Sequence, residues 1–164
     1  RARWRMRRCT AACAAASLER FVLETASGEY HVDGAGATLC ERMELDVASG
    51  SVSVSQMSVT DLELSLASGN AASESSIAKT LHIDQASGEF YFGPCLSAPE
   101  TISGSLASGH IVLVLPADTA LTAQVDKTSG NFTNDFADSA GDPSHSCDLT
   151  FDIISGNLEV LSAE

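Results

Sequence analysis

The stretch LELSLASGNAASESSIAKTLHIDQASGEFYF, Leu62–Phe92, contains one pattern written twice. Leu62, Leu64 and Leu66 alternate with polar residues and run into Ala67-Ser68-Gly69. Leu81, Ile83 and Gln85 run into Ala86-Ser87-Gly88, which Phe90 and Phe92 follow. Alternation at period two marks a strand with one buried face, whereas a 3.6 period would scatter these residues around a helix. Outward from this stretch, Ser-Gly recurs at Ser27, Ser49, Ser68, Ser87, Ser108, Ser129 and Ser155, with gaps of 22, 19, 19, 21, 21 and 26 residues. A near-constant period of this size is the signature of stacked supersecondary repeats.

Aligning the repeats on the serine extends the pattern to the whole chain. Four residues before it stand Leu23, Leu45, Leu64, Ile83, Gly104, Val125 and Phe151; three after it stand Tyr30, Val52, Ala71, Phe90, Ile111, Phe132 and Leu158. The columns six before, two before and five after are also mostly apolar, and the columns between them are polar. Residues one repeat apart match in direction and register, which predicts parallel pairing of successive coils and not a run of hairpins. The expected fold is all-β: a single-domain parallel β-solenoid (β-helix) of about seven rungs with Ser-Gly corners, a rod about 30 Å long at ~4.8 Å per rung. Its winding is expected to be right-handed, the general preference of strand crossovers. Glycine supplies positive φ at the corner, and the serine hydroxyl is expected to hold the turn. Gln85, Gly104, Lys127 and Asn134 fall in inward columns, predicting local bulges or register shifts there. The returns Asp33–Arg42, Glu74–Thr80, Gly93–Thr101, Pro116–Thr122 and Asp135–Asp148 read as loops with apolar plugs such as Leu39, Ile77 and Leu96.

Charge is distributed unevenly. Net charge is −13, yet Arg1, Arg3, Arg5, Arg7 and Arg8 supply five of the nine basic residues. The body beyond residue 8 carries four basic against 22 acidic residues, a balance of −18 that argues against nucleic-acid binding. Residues 1–18 therefore read as a basic, then alanine-rich leader, the remnant of an export signal or membrane anchor, and 19–164 as the solenoid. Cys40, Cys95 and Cys147 fall in different coils and lack paired metal spacing, so they read as free buried thiols.

The polar column three residues before the serine holds Glu24, Asp46, Asp84, Asp126 and Asp152, interrupted by Ser65 and Ser105. Stacked carboxylates about one rung apart form a binding candidate that could take calcium, or a solvated face that keeps the rod soluble. The loop Asn134–Asp142 offers oxygen donors but not the spacing of a calcium loop. His82 stands one rung from Glu63, a surface pair. The sequence asks for no metal site and no cofactor, and it holds no nucleophile-elbow, phosphate-loop or metalloprotease motif, so a non-enzymatic protein is expected.

The seven Ser-Gly corners, with LPADTALTAQVDKTSGNFTNDF at 115–136 and FDIISGNLEVL at 151–161, resemble the bacterial adhesin-type domains with repeated Ser-Gly turns, over residues 20 to 161. The resemblance implies a right-handed β-solenoid attached to a cell-surface or membrane-proximal segment, and it brings no catalytic residues. The expected role is an extracytoplasmic or cell-surface display module, membrane-anchored through a segment upstream, that binds a glycan or surface protein through its repetitive face. The alternative is end-to-end self-association through exposed terminal strands, with Asn157–Leu161 as a free edge.

Overall fold

The computed structural model describes residues 8–12, 17–95, 97–136 and 141–163, and all regular structure among them is strand. The strands are β1 (Arg8–Ala12), β2 (Ser17–Thr25), β3 (Glu29–Val47), β4 (Ser51–Leu66), β5 (Asn70–Gln85), β6 (Glu89–Phe92), β7 (Thr101–Leu106), β8 (His110–Leu115), β9 (Thr119–Lys127), β10 (Asn131–Asn134), β11 (Asp142–Ile153) and β12 (Asn157–Ser162). They pair in parallel into one coiled sheet, a β-solenoid of about six turns on which the Ser-Gly corners stack. Arg8–Ala12, placed by the sequence in the leader, pairs along the backbone with Glu29–Asp33. The rest of the leader before residue 17 lies outside the described residues.

The corners repay both residues of the motif. Corner glycines have φ between +102° (Gly130) and +136° (Gly156), and a Cβ built on Gly69 would collide with the carbonyl oxygen of Gly50 one coil below. Positive φ and close backbone stacking thus each require glycine. The serine acts differently from expectation. Ser49 Oγ donates to Ala26 O at 2.7 Å, Ser87 Oγ to Ala67 O at 3.1 Å and Ser108 Oγ to Ala86 O at 3.0 Å, so the hydroxyl ties one coil to the previous coil and not to its own turn.

The core follows the inward columns. Leu64, Ile83, Ile111, Leu113, Leu158 and Val160 are wholly buried, and Phe90, Phe92 and Phe151 are the bulkiest of the fully buried side chains. Two irregular residues sit in register without a bulge. Gly104 lies between Ile83 and Phe151, where a Cβ would strike the Ile83 carbonyl, and the large Phe151 ring stands in the adjoining rung. Gln85 is 2 % exposed, and its Nε2 donates to Gly88 O at 2.8 Å and to His110 O at 3.3 Å, bracing a corner from inside. Register shifts occur instead at Asp33/Thr38, Ser55/Ser58, Val59/Asp61 and Asp142/Ser146, within continuous strands. Two expected loops, Asp33–Arg42 and Glu74–Thr80, are thus the middles of β3 and β5. Leu39 is 56 % exposed and plugs nothing, while Cys40, Met57 and Val59 fill that side. The Ile77 side chain and Leu96 lie outside the described residues.

The largest departure is the order of the coils. Successive coils stack in chain order through β7–β8, but β11 then pairs with β7 and β12 with β8. β9 and β10 pair on the far side of β11 and β12. The β11–β12 coil is thus intercalated, and among the described residues the 119–134 coil stands at the end of the rod. Asn157–Val160 is therefore paired along both edges, and the expectation that Asn157–Leu161 forms a free terminal edge is overturned. Residue chemistry explains the order. Leu149, Phe151, Ile153, Leu158 and Val160 of the last coil are at most 2 % exposed, whereas the 119–134 coil puts Ala123, Lys127 and Asn134 in the same columns. Intercalating the apolar coil keeps the Lys127 ammonium out of the core, where burial without a partner is costly.

Candidate functional site

Outward columns, not inward ones, decide what the rod can present. On the sheet that follows the corner, two adjacent outward columns read Glu29, Ser51, Asn70, Glu89, His110 and His31, Ser53, Ala72, Tyr91, Val112. Ser53 and Ala72 are small and stand between the bulkier His31 and Tyr91. The result is a trough of about 560 Å³. His31 and Tyr91 are three rungs apart, about 14 Å at ~4.8 Å per rung. Tyr91 is 39 % exposed, and Glu29, Glu89 and Asn70 are exposed along the trough. His31 Nδ1 and Ser53 Oγ are hydrogen-bonded, which fixes the imidazole on the trough wall. His110 Nε2 lies 3.2 Å from Glu159 Oε1, off the hydrogen-bonding direction. The sequence carried the signal for this trough: the column four residues after the serine dips from histidine to serine and alanine and rises again to tyrosine.

The acidic column lies on the sheet that precedes the corner. Its spatial order is Glu24, Asp46, Ser65, Asp84, Ser105, Asp152, Asp126, so Glu24 neighbours Asp46 and Asp152 neighbours Asp126, while Asp84 stands between two serines. Asp84 accepts a hydrogen bond from Ser105 Oγ at 2.7 Å. A shallower groove of about 430 Å³ runs beside Glu24, Asp46 and Ser65. Among the described residues no three His, Cys, Asp or Glu side chains are grouped to hold a metal ion.

Two further rows share that sheet. Arg20 Nη2 meets Glu44 Oε2 at 2.5 Å, Arg42 Nε meets Glu44 Oε1 at 2.7 Å, and Arg42 Nη2 meets Glu63 Oε2 at 2.6 Å, a ladder across three rungs. Hydrogen bonds from Arg20 and then Arg42 hold the Glu44 carboxyl below its ordinary range, and Glu44 raises the Arg42 guanidinium in turn. His82 faces Glu63 in register, yet bonds elsewhere: Nδ1 to Ser103 Oγ at 3.0 Å and Nε2 to Asp84 Oδ2 at 3.2 Å. This Ser-His-Asp row resembles a nucleophile relay in connectivity, but it is exposed on a sheet surface and lines neither cavity.

The described part of the Asn134–Asp142 loop spends side-chain oxygens on hydrogen bonds within the fold, most of them from backbone N–H groups. Asn134 Oδ1 accepts from Phe136 N–H at 2.9 Å and Asp135 Oδ2 from Ser162 N–H at 3.3 Å. Asp142 Oδ1 accepts from Ser144 N–H at 2.9 Å and Ser144 Oγ at 2.7 Å; these bonds, the backbone one foremost, lower its carboxyl. Residues 137–140 of that loop lie outside the described residues. Among the described residues no helix is long and apolar enough to cross a membrane.

A family model described as Toastrack DUF4097 matches residues 12–158. No curated protein and no solved structure matches the chain.

Proposed function

The chain belongs to the Toastrack DUF4097 family, a solenoid domain whose function is unknown, and from that premise we propose that it is a non-enzymatic display module at the cell surface that binds a glycan through the trough between His31 and Tyr91. The observation that carries this reading is the trough itself. An exposed phenol offers an apolar ring face to the C–H face of a sugar, and Glu29, Glu89 and Asn70 offer acceptors and donors to its hydroxyls. The small floor at Ser53 and Ala72 leaves room for a chain lying along the rod. Net charge of −13 keeps the surface from anionic polymers, which favours neutral or basic ligands. The exposure of the Ser103-His82-Asp84 row, away from both cavities, supports a binding role over hydrolysis.

A glycan and surface-protein binding screen with the full chain tests the proposal, run in calcium and in chelator. Selective glycan binding that Tyr91→Ala and Ser53→Trp each abolish supports it. Binding only to proteins, or glycan binding indifferent to both substitutions, overturns the trough assignment. Loss of binding in chelator alone moves the site to the Glu24–Asp46 groove.

A further inference from the structure

We propose that the 119–134 coil is an end cap that holds off a second copy of this chain, with Lys127 and Asn134 as the blocking residues. Three independent observations meet there. First, β9 pairs with β11 alone and β10 with β12 alone, so among the described residues one backbone edge of this coil has no strand partner. An open parallel rung is a template on which the end of another β-solenoid can dock. Second, the coil's apolar inward residues, Leu121, Val125 and Phe132, are packed against the core yet only half-buried, so apolar surface reaches the open end. Third, Ala123, Lys127 and Asn134 break the apolar columns at this coil and nowhere else so heavily. Lys127 and Ala123 are exposed.

An inward-pointing charge on an edge strand is a recognised means of blocking edge pairing, because docking another rung would bury the ammonium without a counter-charge. The intercalated last coil makes the device effective: it moves the polar-broken coil from the interior to the end. The opposite end also finishes in strands, β1 and β2, that pair with β3 alone among the described residues, but there the inward residues Phe21, Leu23 and Thr25 are buried. The cap therefore acts at one end only. If its block is removed, two copies join open end to open end and stop at a dimer, because a two-fold contact is closed.

Sedimentation velocity of the full chain over a hundredfold concentration range tests this, in ~0.3 M salt so that the net acidic charge is screened. The wild type is expected to keep one monomeric sedimentation coefficient, and the Lys127→Val/Asn134→Val variant to shift to a dimer at the upper concentrations. Lys127→Glu, which retains a charge at the open end, is expected to stay monomeric. Wild-type self-association, a double variant that is folded by circular dichroism yet monomeric throughout, or dimerisation of Lys127→Glu would each overturn the proposal. Growth of the double variant beyond a dimer would overturn the one-ended part of it.

Discussion

Gly104 is the register partner of Phe151, although Val125 is its counterpart in the next repeat along the chain. The smallest and one of the largest core residues thus occupy neighbouring rungs of one column, a volume match that the sequential order of coils would forgo.

Cysteine pairs can read this order directly. Ser103, Thr150 and Gln124 share an outward column, with Thr150 in the middle. A Ser103→Cys/Thr150→Cys variant is expected to form an intramolecular disulfide under mild oxidation. A Ser103→Cys/Gln124→Cys variant is expected not to, because two rungs separate those residues by about 9.6 Å, beyond the ~7 Å reach of a disulfide. Non-reducing peptide mass spectrometry distinguishes the two, and the reverse result would restore the sequential order.

The corner residues should differ in cost. Gly69→Ala imposes φ of +117° on an alanine and drives its Cβ into the Gly50 carbonyl, so a loss of about 1–3 kcal/mol is expected from the backbone strain alone. That corresponds to a fall in Tm of about 2–12 °C for a chain of this size. Ser87→Ala removes only the 3.1 Å bond to Ala67 O, for about 0.5–1.5 kcal/mol. Thermal melts of both variants check the ranking.

Acid stability should report the Arg20–Glu44–Arg42 ladder. The Glu44 carboxyl is held below its ordinary value of 4.5 in the folded protein, so the unfolded chain binds the proton more readily. The ladder's contribution is present above pH ~4.5 and is lost as pH falls through the lowered folded value. Denaturant midpoints measured from pH 7 to pH 3 should fall less steeply for Glu44→Gln than for the wild type. Equal slopes would mean that the ladder contributes nothing, as exposed ion pairs often do.

The core thiols should be inert in the native state. Burial is the main cause that pushes Cys95 up to about 11 and Cys147 up to about 12, with the Asp148 and Cys95 charges adding to the latter. At pH 8 neither is expected to react with a thiol reagent until the chain unfolds, since the thiolate is the nucleophile. Peptide mapping after timed labelling would show it, and rapid native labelling of Cys147 would contradict its burial.

The sequence made the solenoid legible because its buried columns repeat and each Ser-Gly marks a place where side chains cannot go. Leu64 and Phe90 needed only their alternation to be placed. What stayed hidden was long-range: periodicity assigns a residue to a column but not a coil to a level in the stack. On sequence grounds Lys127 and Asn134 fit bulges, yet they mark the end of the rod, and the long gap before Ser155 fits a loop, yet it also carries the chain back past a coil. The trough was hidden for another reason. Attention to charge singled out Asp84 and its column, while the vacancy at Ser53 and Ala72 is a matter of volume on the outer face.

The intercalated coil also bears on how the protein is made. Synthesis releases β9 and β10 before β11 and β12, yet their described strand partners are β11 and β12. Until β11 and β12 have emerged, the growing chain lacks the rung that joins its outermost described coil to the rest. That end is completed only after both strands have left the ribosome, and a premature stop after Asn134 would cost the rod the anchorage of two coils in place of one.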